Sequence, residues 1–182
     1  LKVINSHATG KVTGTNTCGG LMGYGYNAVD IKNGYATGDV ETTGNNAGGL
    51  IGSYNTSSAD TVYATGEVKT KPANAANAWY TGGAIGYLSD SSITNIYATG
   101  AVSGYIDVGG LIGQVRRSTI TNAFASGNAT SPKLVSSQGY SVGGLFGSVF
   151  ETGNSTITNC VGLGNATGSK YVGTTIGYVG MG

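Results

Sequence analysis

The sequence predicts an all-β fold, a parallel β-helix-like β-solenoid of about six coils with one repeat of 27–37 residues per coil. A glycine phrase, GGLMG at residues 19–23, returns at 48–52, 82–86, 109–113 and 143–147, with a decayed sixth copy at 173–177. A second phrase, aromatic-Ala-Thr-Gly-x-Val, alternates with it at 35–40, 63–68 and 97–102, with weaker copies at 7–12, 124–129 and 161–166. Successive glycine phrases start 29, 34, 27, 34 and 30 residues apart. Self-similarity at such a period marks an array in which each unit buries its apolar side against its neighbours. Helix formers at a spacing of about 3.6 residues are missing, and Gly, Thr, Val and Tyr stand in their place.

Alignment on the Ala-Thr-Gly glycine gives columns of distinct chemistry. Val3, Ile31, Ala59, Ile93, Ile120 and Ile157 form one apolar column; Met22, Ile51, Ile85, Ile112, Phe146 and Ile176 form another. Stacked coils place such residues above one another, so like side chains become ladders along the axis. Asn5, Asn33, Asn95, Asn122 and Asn159, with Thr61 among them, read as a buried turn ladder of amides. Strand alternation points Ile96, Ala98, Gly100 and Val102 inward and Tyr97, Thr99 and Ala101 outward. The outward ladder is then Tyr35, Tyr63 and Tyr97, flanked by Thr37, Thr65 and Thr99, with His7 and Phe124 at its ends. The glycines serve close packing and turns.

The repeat fills residues 1–182, so a single repeat domain is expected, and both ends fall inside repeats, as in a piece cut from a longer array. Charged residues make up 9% of the chain, against roughly 25% in typical domains. The net charge is +1 and only Arg116 and Arg117 are adjacent basic residues, so a nucleic-acid partner is not expected. No run of about 18 apolar residues points to membrane insertion. Cys18 and Cys160 lie about four to five rungs apart at roughly 4.8 Å per rung. That exceeds the span of a disulfide, about 7 Å between Cα atoms, and both read as small apolar fillers.

Catalytic chemistry finds little support. His7 is the only histidine and occupies the aromatic column, leaving no oriented base for a nucleophile and no plausible zinc set. The glycine phrases lack the lysine and helix of a phosphate loop. Asp39 and Glu67 share a column in adjacent repeats and could meet the carboxyl separation of a glycosidase, about 5–10 Å. No other clustered charges appear to support them, and they read as solvated side chains. No enzyme activity, cofactor or metal is expected.

At this point residues 48–68, GGLIGSYNTSSADTVYATGEV, and 82–102, GGAIGYLSDSSITNIYATGAV, resemble the GLUG repeat. The resemblance extends over five to six copies and is weakest in the first and last. It implies a bacterial extracellular setting, since that repeat occurs in large secreted and surface proteins, including filamentous-haemagglutinin-like adhesins and IgA-specific metallopeptidases. It carries over no catalytic residues, and the His-Glu-x-x-His zinc motif is absent from this chain.

The expected role is a non-catalytic stalk and adhesion module of a secreted or cell-surface protein. A spacer or substrate-positioning domain of an IgA-specific peptidase is the alternative, with an ice-binding or head-to-tail self-assembling solenoid as the next. Two repeats carry insertions at one place, residues 67–81 and 128–142, and such insertions map to one side of a solenoid, often the binding side. Trp79, Tyr80, Lys133 and Tyr140 are therefore the candidate platform for a host glycan or protein. The competing expectation is that these aromatics fold back over the coil as a plug. Other expected partners are neighbouring repeats and copies of the chain joined through uncapped ends.

Overall fold

The computed structural model describes residues 1–71, 78–132, 140–150 and 154–180. Its strands form four parallel sheets, and each coil visits them in the order A, B, C, D. Sheet A holds the longest strands: β6 (Asp30–Ala36), β10 (Ser58–Ala64), β14 (Ser92–Ala98), β18 (Thr119–Ala125) and β22 (Thr156–Gly162). The first coil adds β1 (Lys2–Ile4) and β2 (His7–Ala8), both paired with β6. Sheet B runs from β3 (Val12–Gly14) through β7 (Val40–Thr42), β11 (Val68–Thr70), β15 (Val102–Ser103) and β19 (Ala129–Thr130) to β23 (Ala166–Thr167). Sheet C contains β4 (Cys18–Gly19), β8 (Ala47–Gly48), β12 (Trp79–Gly82), β16 (Ile106–Gly109), β20 (Ser141–Gly143) and β24 (Tyr171–Gly173). Sheet D contains β5 (Met22–Tyr26), β9 (Ile51–Asn55), β13 (Ile85–Ser89), β17 (Ile112–Arg116), β21 (Phe146–Phe150) and β25 (Ile176–Gly180). One repeat is one coil, and the described residues make six.

The register superposes the sequence columns. Ile31, Ala59, Ile93, Ile120 and Ile157 are successive partners in sheet A, and Met22, Ile51, Ile85, Ile112, Phe146 and Ile176 are successive partners in sheet D. Their side chains meet in one core between sheets A and D. A second, smaller core between sheets B and C holds Cys18, Val40, Ala47, Val68, Val102, Val108, Ala129 and Val142. Each large aliphatic side chain removed from water contributes about 1.5–3 kcal/mol, so the repeated columns, more than any single residue, hold the stack together. Cys18 and Cys160 are both free thiols.

The glycine phrase divides the two cores. A Cβ on its second glycine would come within 2.9 Å of the Ala64 Cβ at Gly49 and 3.0 Å of the Ala98 Cβ at Gly83. The phrase Gly-Gly thus lies directly on the alanine of Tyr-Ala-Thr, and the coil is pinched at its waist. The third glycine meets main chain in the preceding coil: a Cβ on Gly86 would reach Ala47 N at 2.8 Å, and one on Gly113 would reach Thr81 N at 2.7 Å. Here the absence of a side chain matters for close approach.

The turn column forms as the sequence suggests, with one correction: it is exposed, not buried. Asn5, Asn33, Thr61, Asn95, Asn122 and Asn159 all have φ between 51° and 56° and lie at the surface. Asparagine tolerates this left-handed region better than most residues, and its amide can bond sideways without leaving solvent. Asn33 donates to Asn5 at 3.0 Å, Asn122 to Asn95 at 2.9 Å and Asn159 to Asn122 at 3.3 Å, while Asn95 donates to Asp60 at 2.9 Å. Asn122→Ala is expected to cost about 1–2 kcal/mol through φ strain and lost amide bonds. Asn122→Gly should cost less than half of that, because glycine relieves the strain and loses only the bonds; urea unfolding of both variants checks it.

A serine column absent from the sequence reading closes the turn from sheet D to sheet A. The hydroxyls of Ser57, Ser91 and Ser118 donate to the carbonyl oxygens of Asn55, Ser89 and Arg116, two residues earlier in each case. They also accept the amide N–H of Val29, Ser57 and Ser91 from the preceding coil. Beside this ladder, Arg117 grips Asp90 with two hydrogen bonds of 2.6 Å. With Ser89 also donating, these bonds hold the Asp90 carboxyl down at about 2. A carboxyl depressed on folding stabilises the native state above its ordinary pKa of about 3.9, and that contribution vanishes as pH falls through about 2. The pair is 37% and 40% exposed, so the effect is under about 1 kcal/mol. Asp90→Asn is expected to flatten the unfolding midpoint between about pH 4 and pH 2 and to leave its shape at neutral pH unchanged, as read by thermal melts across pH.

Candidate ligand-binding site

Two surfaces carry aromatic side chains, and they differ in what the rings offer. On sheet A, His7, Tyr35, Tyr63 and Tyr97 stack in register with centroids 4.6–4.8 Å apart and planes within 7° of parallel. Tyr97 is 38% exposed and Tyr35 and Tyr63 are half-buried, with Thr37, Thr65 and Thr99 exposed alongside. Strand pairing extends the column from Tyr97 to Phe124 and Val161. A shallow groove of about 490 Å³ lies over Tyr63, Tyr97 and Phe124, edged by Asn95 and Asn122. Each internal ring spends both faces on its neighbours, so this ladder presents ring edges. Its main effect is stabilisation, about 0.5–1.5 kcal/mol per stacked pair.

The second surface is a seam where the outer sides of sheets C and D meet. The glycine phrase is flanked by residues seven positions apart: Thr17 and Tyr24, Asn46 and Ser53, Tyr80 and Tyr87, Asp107 and Gln114, Ser141 and Ser148, Tyr171 and Tyr178. Because the third glycine lets sheet D close onto the sheet C main chain, these flanks converge. Tyr80 stacks on Tyr87 at 5.2 Å and Tyr171 packs on Tyr178 at 4.9 Å. Gln114 Nε2 donates to Asp107 Oδ2 at 3.0 Å.

The middle of the seam is polar and buried. Asp107 is 6% exposed and also accepts a hydrogen bond from the Ser141 hydroxyl. Gln114 Nε2 lies 3.3 Å from Ser148 Oγ. Burial pushes the Asp107 carboxyl above its usual range, against the hydrogen bonds from Ser141, Ser148 and Gln114. Burial likewise raises the Tyr80 phenol, with the nearby Asp107 carboxyl adding to it. Two hollows of about 240 Å³ each open here. Tyr80, Gln114, Arg116 and Phe150 line one; Trp79, Asp107, Ser141, Phe150, Lys170, Tyr171 and Tyr178 line the other.

Three of the four residues nominated for a platform can now be placed. Trp79 and Tyr80 are half-exposed in β12, their rings 5.9 Å apart at 63°, and neither joins either core. They line the seam and do not plug the coil. Tyr140 is only 3% exposed and drops out as a contact residue. Lys133 lies outside the described residues. Tyr87, Asp107, Gln114, Phe150, Tyr171 and Tyr178 were not foreseen.

A larger groove, about 680 Å³, follows the serine turn and Asp90 with Arg117, but its side chains are engaged in holding that turn. On sheet B the expectation of isolated acids needs correction. Asp39 Oδ1 accepts the Glu67 amide at 2.8 Å, and Glu67 pairs with Lys69 at 2.6 Å. Lys11 and Lys71 flank Glu41 at 3.2 and 2.8 Å, and these bonds depress the Glu41 carboxyl. The Asp39, Lys11 and Lys71 contacts therefore bridge coils, while Glu67 and Lys69 pair within one. Among the described residues there is no group of three or more His, Cys, Asp or Glu able to hold a metal ion, and no helix long and apolar enough to cross a membrane.

A family model described as the GLUG motif matches residues 77–103. Residues 77–103 therefore carry a GLUG motif. The matched stretch contains β12, β13, β14 and β15. One GLUG unit is thus a full circuit through sheets C, D, A and B, with the seam at its beginning and the tyrosine ladder near its end. Strand register places the other five coils on the same plan. The comparisons with curated proteins and with solved structures find no match.

Proposed function

We propose that this GLUG array is a non-catalytic extension and adhesion module of a secreted or cell-surface bacterial protein. The observation that carries the reading is the seam: part-exposed aromatic side chains beside a hydrogen-bonded polar floor, on a rod of stacked coils. A rod built by repetition gains length without new folding problems, because each coil contacts only its neighbours. Presented on that rod, a surface of exposed rings and fixed hydrogen-bonding groups suits recognition, where aromatic anchors carry most of the energy.

The test is a binding array of host glycans and extracellular proteins, probed with this chain and with a Trp79→Ala, Tyr80→Ala double variant of verified fold. Retention by the native protein and loss in the variant supports an adhesive seam. Silence from both on every spot sinks the adhesive reading and leaves extension alone.

A further inference from the structure

Three phenols stand in a row on the outer face of sheet A. Tyr35 stacks on Tyr63 at 4.8 Å with planes 2° apart, and Tyr63 stacks on Tyr97 at 4.6 Å and 5°. Strand pairing sets all three in register, so each ring is its neighbour moved by one coil along the axis. His7 and Phe124 occupy the same column on either side, which bounds the phenols at three. Tyr97 is 38% exposed and borders the groove over Phe124, while Tyr35 and Tyr63 are half-buried. Burial raises the Tyr97 phenol, and a charge on Tyr63 adds to it, so this ring enters an oxidation at neutral pH as the protonated phenol.

We propose that the column is an oxidative cross-linking site, where a peroxidase-type haem oxidant with hydrogen peroxide joins Tyr63 to Tyr35 or to Tyr97 by a bond between ortho carbons. The oxidant withdraws one electron and one proton from each of two stacked phenols. The two phenoxyl radicals pair their electrons in the new carbon–carbon bond. Each bonded carbon then passes its hydrogen to its own ring oxygen as aromaticity returns. Hydrogen peroxide takes up the two electrons and two protons and leaves as two water molecules. The product is a dityrosine that adds a covalent tie between coil three and coil two or coil four.

Orbital direction singles out this column. The unpaired electron of a phenoxyl radical lies in the π system, whose lobes stand perpendicular to the ring. Bond formation therefore needs two rings face to face, and holding reactants in that orientation accelerates a bimolecular step. Tyr63 meets the condition on both of its faces. Other tyrosine pairs depart from it. Tyr80 and Tyr87 are 28° apart at 5.2 Å, and Tyr171 and Tyr178 are 38° apart at 4.9 Å. Tyr24 and Tyr26, neighbours along one strand, stand 6.2 Å apart. Position matters as well. On the outer face the part-exposed rings can turn about the new bond without disturbing the core between sheets A and D.

The test treats the whole chain, at high dilution, with a plant haem peroxidase and hydrogen peroxide. The monomer is isolated by gel filtration and its cross-linked peptides are mapped by tandem mass spectrometry. Most of its dityrosine is expected in peptides joining Tyr63 to Tyr35 or to Tyr97. Tyr63→Phe keeps the ring and removes the central phenol, leaving Tyr35 and Tyr97 two coils apart, roughly 10 Å. Dityrosine fluorescence of the monomer should then fall at least about fivefold, whereas Tyr80→Phe should leave it unchanged. Oxidation in concentrated urea should scatter the cross-links over many tyrosines, since the column exists only in the fold. A monomer without dityrosine overturns the proposal, as does a map dominated by another pair. Unchanged fluorescence in folded Tyr63→Phe overturns it too, and so does the same share of Tyr63 cross-links in urea. The peptide map of the native chain decides the question even if the variant fails to fold.

Discussion

Gly82→Ala is expected to destabilise the chain by about 3 kcal/mol or more, an unusually large cost for one methyl group. The added Cβ would collide with the Ile85 carbonyl oxygen and stand 2.7 Å from Gly113 N and 2.9 Å from Ile112 Cα. All three are main-chain atoms in strands paired on both sides, so none can swing aside as a side chain would. Relief requires opening the corner between sheets C and D or parting coils three and four. Gly10→Ala is the matched control: a Cβ there meets nothing within 4 Å, and its effect should stay within about 0.5 kcal/mol. Denaturant unfolding of the two variants compares them directly. A similar small cost for both would mean that the glycine phrase is not held by close approach.

Tyr54→Ala is the second large effect, about 3–5 kcal/mol by analogy with other buried aromatics. Tyr54 is fully buried, and its ring fills the space over Gly25 of the preceding coil, whose own Cβ would lie 2.6 Å from it. The hydroxyl has one proton to share between Val29 O at 2.7 Å and Ser58 O at 2.5 Å. Burial raises its pKa above that of a free phenol, so it stays neutral. Tyr54→Phe keeps the packing and should cost only about 1 kcal/mol. In a one-dimensional array the damage should be local. Native-state hydrogen exchange should quicken at amides of coils one and two and hardly change in coils four and five. Uniform acceleration would instead indicate a single cooperative unit.

Much of this architecture was legible because identical residues in successive repeats end up stacked. The Gly-Gly and Ala-Thr-Gly phrases, the isoleucine columns and the outward tyrosines each keep one chemical type through most copies, so sequence alignment already contains their register. The asparagine column was visible for the same reason, but its exposure was not. A left-handed turn and a buried turn ask for the same residue, and only the packing around it distinguishes them. The serine column at Ser57, Ser91, Ser118 and Ser155 had a signal two residues before the apolar Ala59, Ile93, Ile120 and Ile157. In a chain so rich in serine and threonine it carried little contrast.

The seam was hidden for a different reason. Its flanking positions change chemistry from coil to coil, Thr17 to Asn46 to Tyr80 to Asp107, so no column announces them. Tyr80 and Trp79 were found through the insertion beside them. Tyr87 and Gln114 could have been found by noting that the residue after the third glycine faces the residue two positions before the first glycine of the phrase. Tyr140 illustrates the converse. Next to the seam in sequence, it lies one step from Ser141 along the strand entry and turns into the protein, 3% exposed.

The hydrogen bonds between coils, such as Gly49 N to Gly83 O and Leu50 N to Ala84 O, run along the rod and not across it. A pull on the two ends therefore loads a single coil's row of bonds at a time. Under traction the rod should peel from an end, surrendering one circuit and then the next, each releasing roughly 100 Å of chain at the reach of an extended backbone. Such a tether would lengthen in steps while the remaining circuits kept their grip.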